Sequence, residues 1–230
     1  MAGTDPMTTA MTMYGDETPS VPLEATELTF TLGRHRVLGP FTFQVASGET
    51  VALTGSNGSG KTTALRLALG LVRASSGTSR IHGRAVTPRQ PPHGVGFVPD
   101  KPSFYDWDTA TGNLTLLHDD VARIAQTLEL VGLTTAAKQP VRGFSRGMRQ
   151  RLSLARALVG DPSLLVMDEP TIALDTSGIT MLVEVLTQRR ERGLAALIAT
   201  HDRDFLTAVG PRTVSVTADG IVTADGELAP

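Results

Sequence analysis

Cysteine is absent from the chain, so neither a disulfide framework nor thiol chemistry is open to it. That suits a reducing compartment. Long apolar runs are absent too: no window approaches the roughly 20 residues that a membrane-spanning helix needs. The N-terminus lacks the charged-then-apolar pattern of a secretory signal. These absences predict a soluble cytoplasmic protein unless a partner holds it to a membrane. Neither sign of charge is in excess, with 21 Lys and Arg against 23 Asp and Glu and a formal net charge of −2. A nucleic-acid-binding surface would need a clustered basic patch, and the sequence shows none. Aromatics are scarce, seven Phe, two Tyr and one Trp, so a cluster of them stands out. Hydrophobic content is ordinary at 40%, enough for a full core. The 230 residues make one large domain or two small ones.

The most informative stretch that is present is residues 55–62, Gly-Ser-Asn-Gly-Ser-Gly-Lys-Thr. It fits G-x-x-x-x-G-K-[ST], the phosphate-binding P-loop. The apolar run 50–53 before it reads as a buried strand. Ala64, Leu65, Leu67, Ala68, Leu71 and Val72 after it are spaced for one buried helix face. Strand, glycine-rich loop and helix together separate a working P-loop from a glycine-rich turn with an incidental lysine. Gly55, Gly58 and Gly60 permit backbone conformations that a Cβ would forbid. The loop's N–H groups and the helix start can then face an anion. The candidate nucleotide-binding segment is Gly55, Ser56, Asn57, Gly58, Ser59, Gly60, Lys61, Thr62 and Thr63. Lys61 would reach the β- and γ-phosphates, and the Thr62 hydroxyl would hold Mg²⁺.

Residues 1–22 are polar, rich in Thr and Pro, and aperiodic, which predicts a disordered leader. Alternation then begins. Leu28, Phe30 and Leu32 point one way, and Phe41, Phe43 and Val45 repeat the pattern. This predicts antiparallel strands ahead of the P-loop unit. Residues 79–100 are rich in Pro and Gly around a short strand at 95–98. Residues 110–137 carry helical spacing through Leu114, Leu117, Val121, Ile124, Leu128, Leu130 and Val131. A series of α/β units follows: a helix at about 149–159, a strand at 164–167 leading to Asp168, a helix at about 178–192, and a strand at 195–199. Continuous apolar strands between helices predict a parallel sheet covered on both faces. The segments 214–217 and 221–223 flank Ala-Asp-Gly, a hairpin signal.

Asp168 and Glu169 stand where a strand ends, and ligands gather at the carboxyl ends of strands in a parallel α/β sheet. Asp168 there would coordinate Mg²⁺, and Glu169 would orient and deprotonate an attacking water. Taken alone, the two acids also read as an exposed pair in a turn before Pro170. His201 follows the strand 195–199 through Thr200, at the same edge, where a contact to the γ-phosphate is available. His35, His82, His93 and His118 are scattered and share no metal-ligand spacing.

The chain resembles the nucleotide-binding subunit of an ATP-binding-cassette (ABC) transporter over about residues 25–225. Residues 55–62 resemble the Walker A motif. Leu164-Leu165-Val166-Met167-Asp168-Glu169-Pro170 resembles Walker B with its following glutamate. Ala173-Leu174-Asp175 resembles the D-loop, Thr200-His201-Asp202 the switch-histidine region, and Phe144-Ser145-Arg146-Gly147-Met148 the signature motif, LSGGQ in its commonest form. The resemblance implies an α/β fold: a P-loop NTPase core with a parallel sheet, an antiparallel β subdomain and an inserted helical subdomain at about 101–158, all within a single domain at 23–226. It implies ATP and Mg²⁺ as ligands, with Glu169, His201 and Lys61 catalytic and Thr62, Asp168 and Asp100 at the metal. Ser145 and Gly147, ahead of a helix starting near Met148, would face the γ-phosphate held by a second ABC subunit. The partners implied are that second subunit, identical or not, and an integral membrane permease, with no nucleic acid and no direct membrane insertion. The expected location is cytoplasmic, peripheral on the inner face of the cell membrane.

The sequence departs from the pattern in three places. The signature reads Phe-Ser-Arg-Gly-Met, a variant that resembles ABC-2-type bacterial exporters and so points to export. Asp100 stands where the family has its Q-loop glutamine. Leu32 aligns with the aromatic residue that stacks on adenine, and Phe30 on the same strand face is its substitute. Phe104, Tyr105 and Trp107 lie within four residues just after Asp100. They read either as anchors for the membrane subunit or as core of the helical subdomain; exposure of Tyr105 or Trp107 separates the two. Two other functions fit the motifs. A soluble ABC-type ATPase acting on nucleic acid or the ribosome usually has two cassettes or a long coiled coil, whereas about 80 residues separate Lys61 from Ser145 here. A weakly hydrolysing regulatory module would rest on Asp100 and Leu32 alone.

Overall fold

The computed structural model describes residues 21–32, 35–90, 92–217 and 220–223. The leader expected at 1–22 lies outside the described residues apart from Val21 and Pro22. In chain order the elements are β1 (Leu23–Leu32), β2 (His35–Val45), β3 (Thr50–Thr54), α1 (Lys61–Ala68), β4 (Ser76–Ile81), β5 (Arg84–Ala85), β6 (Val95–Val98), α2 (Ala110–Thr115), α3 (Val121–Leu130), α4 (Arg146–Leu158), β7 (Leu164–Asp168), α5 (Thr176–Glu191), β8 (Ala195–Ala199), α6 (Arg203–Val209), β9 (Arg212–Thr217) and β10 (Gly220–Thr223). Strands β2-β1-β4-β5 form an antiparallel sheet. Strands β10-β9-β3-β8-β7-β6 form the second sheet, parallel except for β10 at its edge.

The continuous apolar strands are explained by what covers them. In β7, Leu165 and Met167 join a core with Leu114, Ile124, Leu152, Leu182 and Phe205 from the helices. Leu164 and Val166 point the other way, into a core with Leu28, Phe41, Leu53 and Leu65. Both faces are dry, so neither tolerates polar alternation. Because five strands run parallel, the loops after β3, β7 and β8 collect at one edge, where the site is built.

The alternation expected in β1 is interrupted. Leu23, Ala25 and Leu28 are buried while Thr26 and Glu27 are exposed. Ala25 pairs with Phe43 but Leu28 with Phe41, so three residues of β1 oppose two of β2. That bulge, with Glu27 at φ +52°, shifts the inward set by one residue. The helical spacing at 110–137 proves to be two helices. Asp120 caps α3, its carboxylate accepting from the Ala122 and Arg123 amides at 2.9 and 3.1 Å. Leu114, Ile124, Leu128 and Val131 are buried as the spacing requires, but Leu117, Val121 and Leu130 are exposed. Caps also move two other helix starts. Ser145 accepts from the Met148 amide at 3.2 Å, so α4 begins at Arg146 and not near 149. Asp175 accepts from the Gly178 amide at 2.9 Å, so α5 begins at Thr176. The sequence reading did not anticipate β4, β5 or α6. Strand β4 buries only Ser79 and Ile81, too little apolar pattern to read. The hairpin of β9 and β10 is antiparallel as expected, with Gly220 opposite Thr217.

Candidate functional site

The loop between β3 and α1 turns on glycine. Gly55 has φ +147°, and a Cβ on it would meet the Val216 carbonyl oxygen at 2.4 Å. Gly60, which precedes the first turn of α1, has φ +105°, a region open to glycine and strained for other residues. Lys61 is 7% exposed, and its ammonium donates to the carbonyls of Gly55 and Ser56 at 2.9 and 3.2 Å. The chain thus closes a ring on itself, with the charge at its centre. The Ser59 hydroxyl is buried without a partner, while Ser56, Asn57 and Gly58 face solvent. A buried hydroxyl without a partner is costly, and here it lies in a loop whose backbone is shaped for an anion.

Opposite the loop stand the residues that end β7. The Thr62 hydroxyl donates to Asp168 Oδ1 at 2.9 Å. Asp168 is fully buried, and its Oδ2 has no partner. Burial pushes its carboxyl above the usual range; the Thr62 hydrogen bond works against this, and the nearby charge of Asp100 adds to it. Asp100 is therefore close enough to be felt at Asp168. An orphaned buried carboxylate oxygen beside a hydroxyl suits Mg²⁺, which binds through one or two carboxylates plus phosphate oxygens and water rather than an all-protein cage. Among the described residues no group of three His, Asp or Glu side chains makes such a cage.

Glu169 is held from three sides. Its Oε2 accepts from the Thr200 hydroxyl at 3.0 Å. Its Oε1 lies 2.9 Å from His201 Nδ1 and 3.8 Å from the Lys61 ammonium. Its backbone sits at φ +48°, reluctant for a residue with a side chain. Strands β7 and β8 are neighbours, which brings residues 32 apart in the chain into bonding distance. Thr200 is fully buried, and sequence reasoning gave it no role of its own. Its signal was there, since a hydroxyl directly between an apolar strand and a candidate histidine is misplaced unless it has a partner.

So Lys61, Thr62, Asp168, Glu169 and His201 form one connected group, with Asp100 in electrostatic reach. Ser145 and Gly147 are not part of it. Ser145 is exposed at the start of α4, and its hydroxyl serves that helix's own first turn. A Cβ at Gly147 would lie 2.7 Å from the Ala173 carbonyl oxygen, so glycine is required there for α4 to approach the loop after β7. Leu32 ends β1, and its side chain lies outside the described residues. Phe30 is half-buried against the core. Of the aromatic cluster, Phe104 is partly buried beneath the Arg156 guanidinium at 4.7 Å. Tyr105 and Trp107 are 69% and 79% exposed, with Arg142 lying 4.2 Å over the Trp107 ring. Leu116 and Leu117 are exposed as well.

Known proteins resemble the chain in sequence and in fold. A sequence profile described as "ABC transporter" matches residues 38–172. The chain is similar to the uncharacterised ABC transporter ATP-binding protein YxlF of Bacillus subtilis, 37% identical over 84% of this chain and 67% of that protein. It is also similar to the lantibiotic transport ATP-binding protein SrtF of Streptococcus pyogenes, 34% identical over 74% of this chain and 75% of that one. Among solved structures, an ATP-binding subunit of an ABC transporter superposes with a TM-score of 0.79 at 26% identity, covering 88% of this chain and 90% of that one. Several curated relatives are longer, the chain spanning 57–67% of their length.

Proposed function

Because the chain belongs to the ABC transporter family, we propose that it is an ATP-binding and ATP-hydrolysing subunit that powers transport, export rather than import, through a separate membrane subunit. The observation that carries this reading is the hold of Thr200 and His201 on the Glu169 carboxylate beside the P-loop, with the Lys61 ammonium 3.8 Å away. A module that only held nucleotide would have no use for a carboxylate so fixed.

In the mechanism that follows, the Gly55–Gly60 backbone and Lys61 bind the phosphates, with Ser59, Thr62 and Thr63 at the start of α1 completing the contacts. Lys61 then exchanges its two carbonyl partners for phosphate oxygens, a stronger charge-assisted bond. Glu169 orients a water for in-line attack on the γ-phosphorus and accepts its proton. Thr200 and His201 keep the carboxylate aimed, and His201, the more exposed partner, contacts the γ-phosphate. Mg²⁺, held by Thr62 and Asp168 with help from Asp100, would neutralise charge on the β- and γ-phosphates. Ser145 and Gly147 of a second copy would close the site at the exposed start of α4, where a helix N-terminus favours an anion. The domain at 23–226, with its helical subdomain at about 101–158, is then the working unit, on the inner face of the cell membrane. No described helix is long and apolar enough to cross a membrane. The SrtF relative, a lantibiotic transport protein by its description, and the Ser-Arg-Gly-Met signature both favour export.

The direct test is phosphate release from ATP by the purified chain. Turnover that requires Mg²⁺ and stops with a chelator supports the reading; bound ATP with no release at any Mg²⁺ concentration contradicts it. Asp100→Ala should lower turnover about tenfold, through loss of one charge-assisted contact, and leave ATP affinity unchanged. Asp100→Gln should keep part of the rate. A rate equal to the unsubstituted chain for Asp100→Ala would mean the position is only a hinge.

The membrane subunit is proposed to dock on Tyr105, Trp107 and the neighbouring exposed leucines, since aromatics dominate such interfaces. Trp107 is the only tryptophan, so its fluorescence reports on this patch alone. The isolated chain should show red-shifted emission that is readily quenched, shifting to the blue when the membrane subunit binds. Emission already blue-shifted and protected in the isolated chain would remove Trp107 from the docking surface.

A further inference from the structure

Helix α4 meets the loop that carries Glu169 along a single face. Gly147 lies one turn before Gln150 and Arg151 on that face. Gly147 abuts the Ala173 carbonyl. The Gln150 side-chain amide donates to the Pro170 carbonyl at 3.0 Å in a buried setting. Arg151 Nη2 reaches Asp175 Oδ1 and the Ser177 hydroxyl, both at 2.8 Å. The loop is thus fastened to α4 at three points, and the one nearest Glu169 is Gln150. Gln150 is 5% exposed, and nothing in the chemistry proposed above uses it.

What this fastening controls follows from the backbone. Glu169 sits in the left-handed region at φ +48°, a conformation that persists only where the surroundings over-determine it. On its N-terminal side the Glu169 amide donates to the Ala199 carbonyl at 2.7 Å. On its C-terminal side the Pro170 ring fixes φ, and the hydrogen bond from Gln150 to the Pro170 carbonyl sets the following ψ. Both ends of the residue are then defined, one by the sheet and one by α4.

We propose that Gln150 is a positioning residue for the Glu169 carboxylate, through the single hydrogen bond from its amide to the Pro170 carbonyl. Helix α4 begins at the exposed Ser145, the end assigned above to a neighbour's nucleotide. A displacement of α4 at that end is delivered through Gln150 to the carboxylate of the same chain. Each subunit's hydrolysis is thereby tied to what its own signature segment touches. The inference rests on Glu169 being the water-orienting carboxylate, and the experiment is built to separate the two.

Gln150→Met keeps the length and removes the donor; Gln150→Glu keeps the size and polarity but turns a donor into an acceptor facing a carbonyl. Each is measured alone and combined with Glu169→Gln, for turnover, ATP affinity and melting temperature. The single variants should lower kcat about 10- to 100-fold, as small misplacements of a catalytic group do, with ATP affinity changed less than about twofold. In the Glu169→Gln background the same substitutions should change the residual rate less than about twofold, because groups that act as one unit are not additive. An additive loss in that background, a rate loss that tracks a rise in ATP Kd, or an unchanged kcat in both single variants would overturn the role of Gln150. Full turnover by Glu169→Gln itself would overturn instead the reading of Glu169. If one Gln150 variant does not fold, the other still decides.

Discussion

Glu169→Gln will bind ATP as the unsubstituted chain does and turn it over about 10²–10⁴-fold more slowly, the usual loss when a general base is removed. The amide keeps the shape of the carboxylate and can still meet the Thr200 hydroxyl, which lies 3.0 Å from Oε2. It cannot accept the proton of an attacking water. Lys61 is 3.8 Å from the other oxygen, too far for that pair to hold the lysine in place, and the two loop carbonyls do so already. Binding should therefore survive. Comparing the single-turnover rate with the ATP Kd checks both halves. A variant that hydrolyses at the original rate would leave Glu169 as a structural partner of Thr200 and His201 and nothing more.

Lys61→Ala should abolish the binding that Glu169→Gln preserves. A hydrogen bond to a charged group contributes about 1.5–3 kcal/mol, so losing the ammonium should raise the ATP Kd about 10- to 100-fold per contact. Ser145→Arg should behave differently. Among the described residues Ser145 has no hydrogen bond to the P-loop of its own chain, and its hydroxyl caps α4 instead. Loss of the cap should cost about 1 kcal/mol of stability and leave monomer ATP affinity unchanged, while a bulky cation blocks the facing subunit. Mixing the two variants should restore one active site of two, formed by the intact Lys61 of one chain and the intact Ser145 of the other. Equal loss of monomer affinity in both variants would place Ser145 in the site of its own chain and rule out the paired arrangement.

The features legible in the sequence are those with a single physical cause. Strands β3, β7 and β8 are buried on both faces, so their apolar runs could not be mistaken for loops. The P-loop was legible because its glycines are demanded by backbone geometry and its lysine by charge. Where two causes compete the pattern blurred. In β1 a bulge at Glu27 broke the alternation. Between α2 and α3 the apolar spacing continues through Leu117 and Val121, although both face solvent and the Asp120 cap restarts the helix. Exposure itself is not written in spacing, which is why Trp107 read as core or as surface. The partners of Thr200 and Gln150 were hidden for a further reason: each acts on a residue brought near only by the sheet or by helix packing, 31 and 20 positions away.

The central claim is that ATP joins two copies of such a chain through the Lys61 and Ser145 ends of opposite subunits. Sedimentation of the Glu169→Gln chain with and without Mg²⁺ and ATP tests it most directly, because this variant binds nucleotide without consuming it. The account predicts one chain mass without ATP, twice that mass with ATP, and one chain mass again when Ser145→Arg is added. A Glu169→Gln chain saturated with ATP that stays at one chain mass would contradict it.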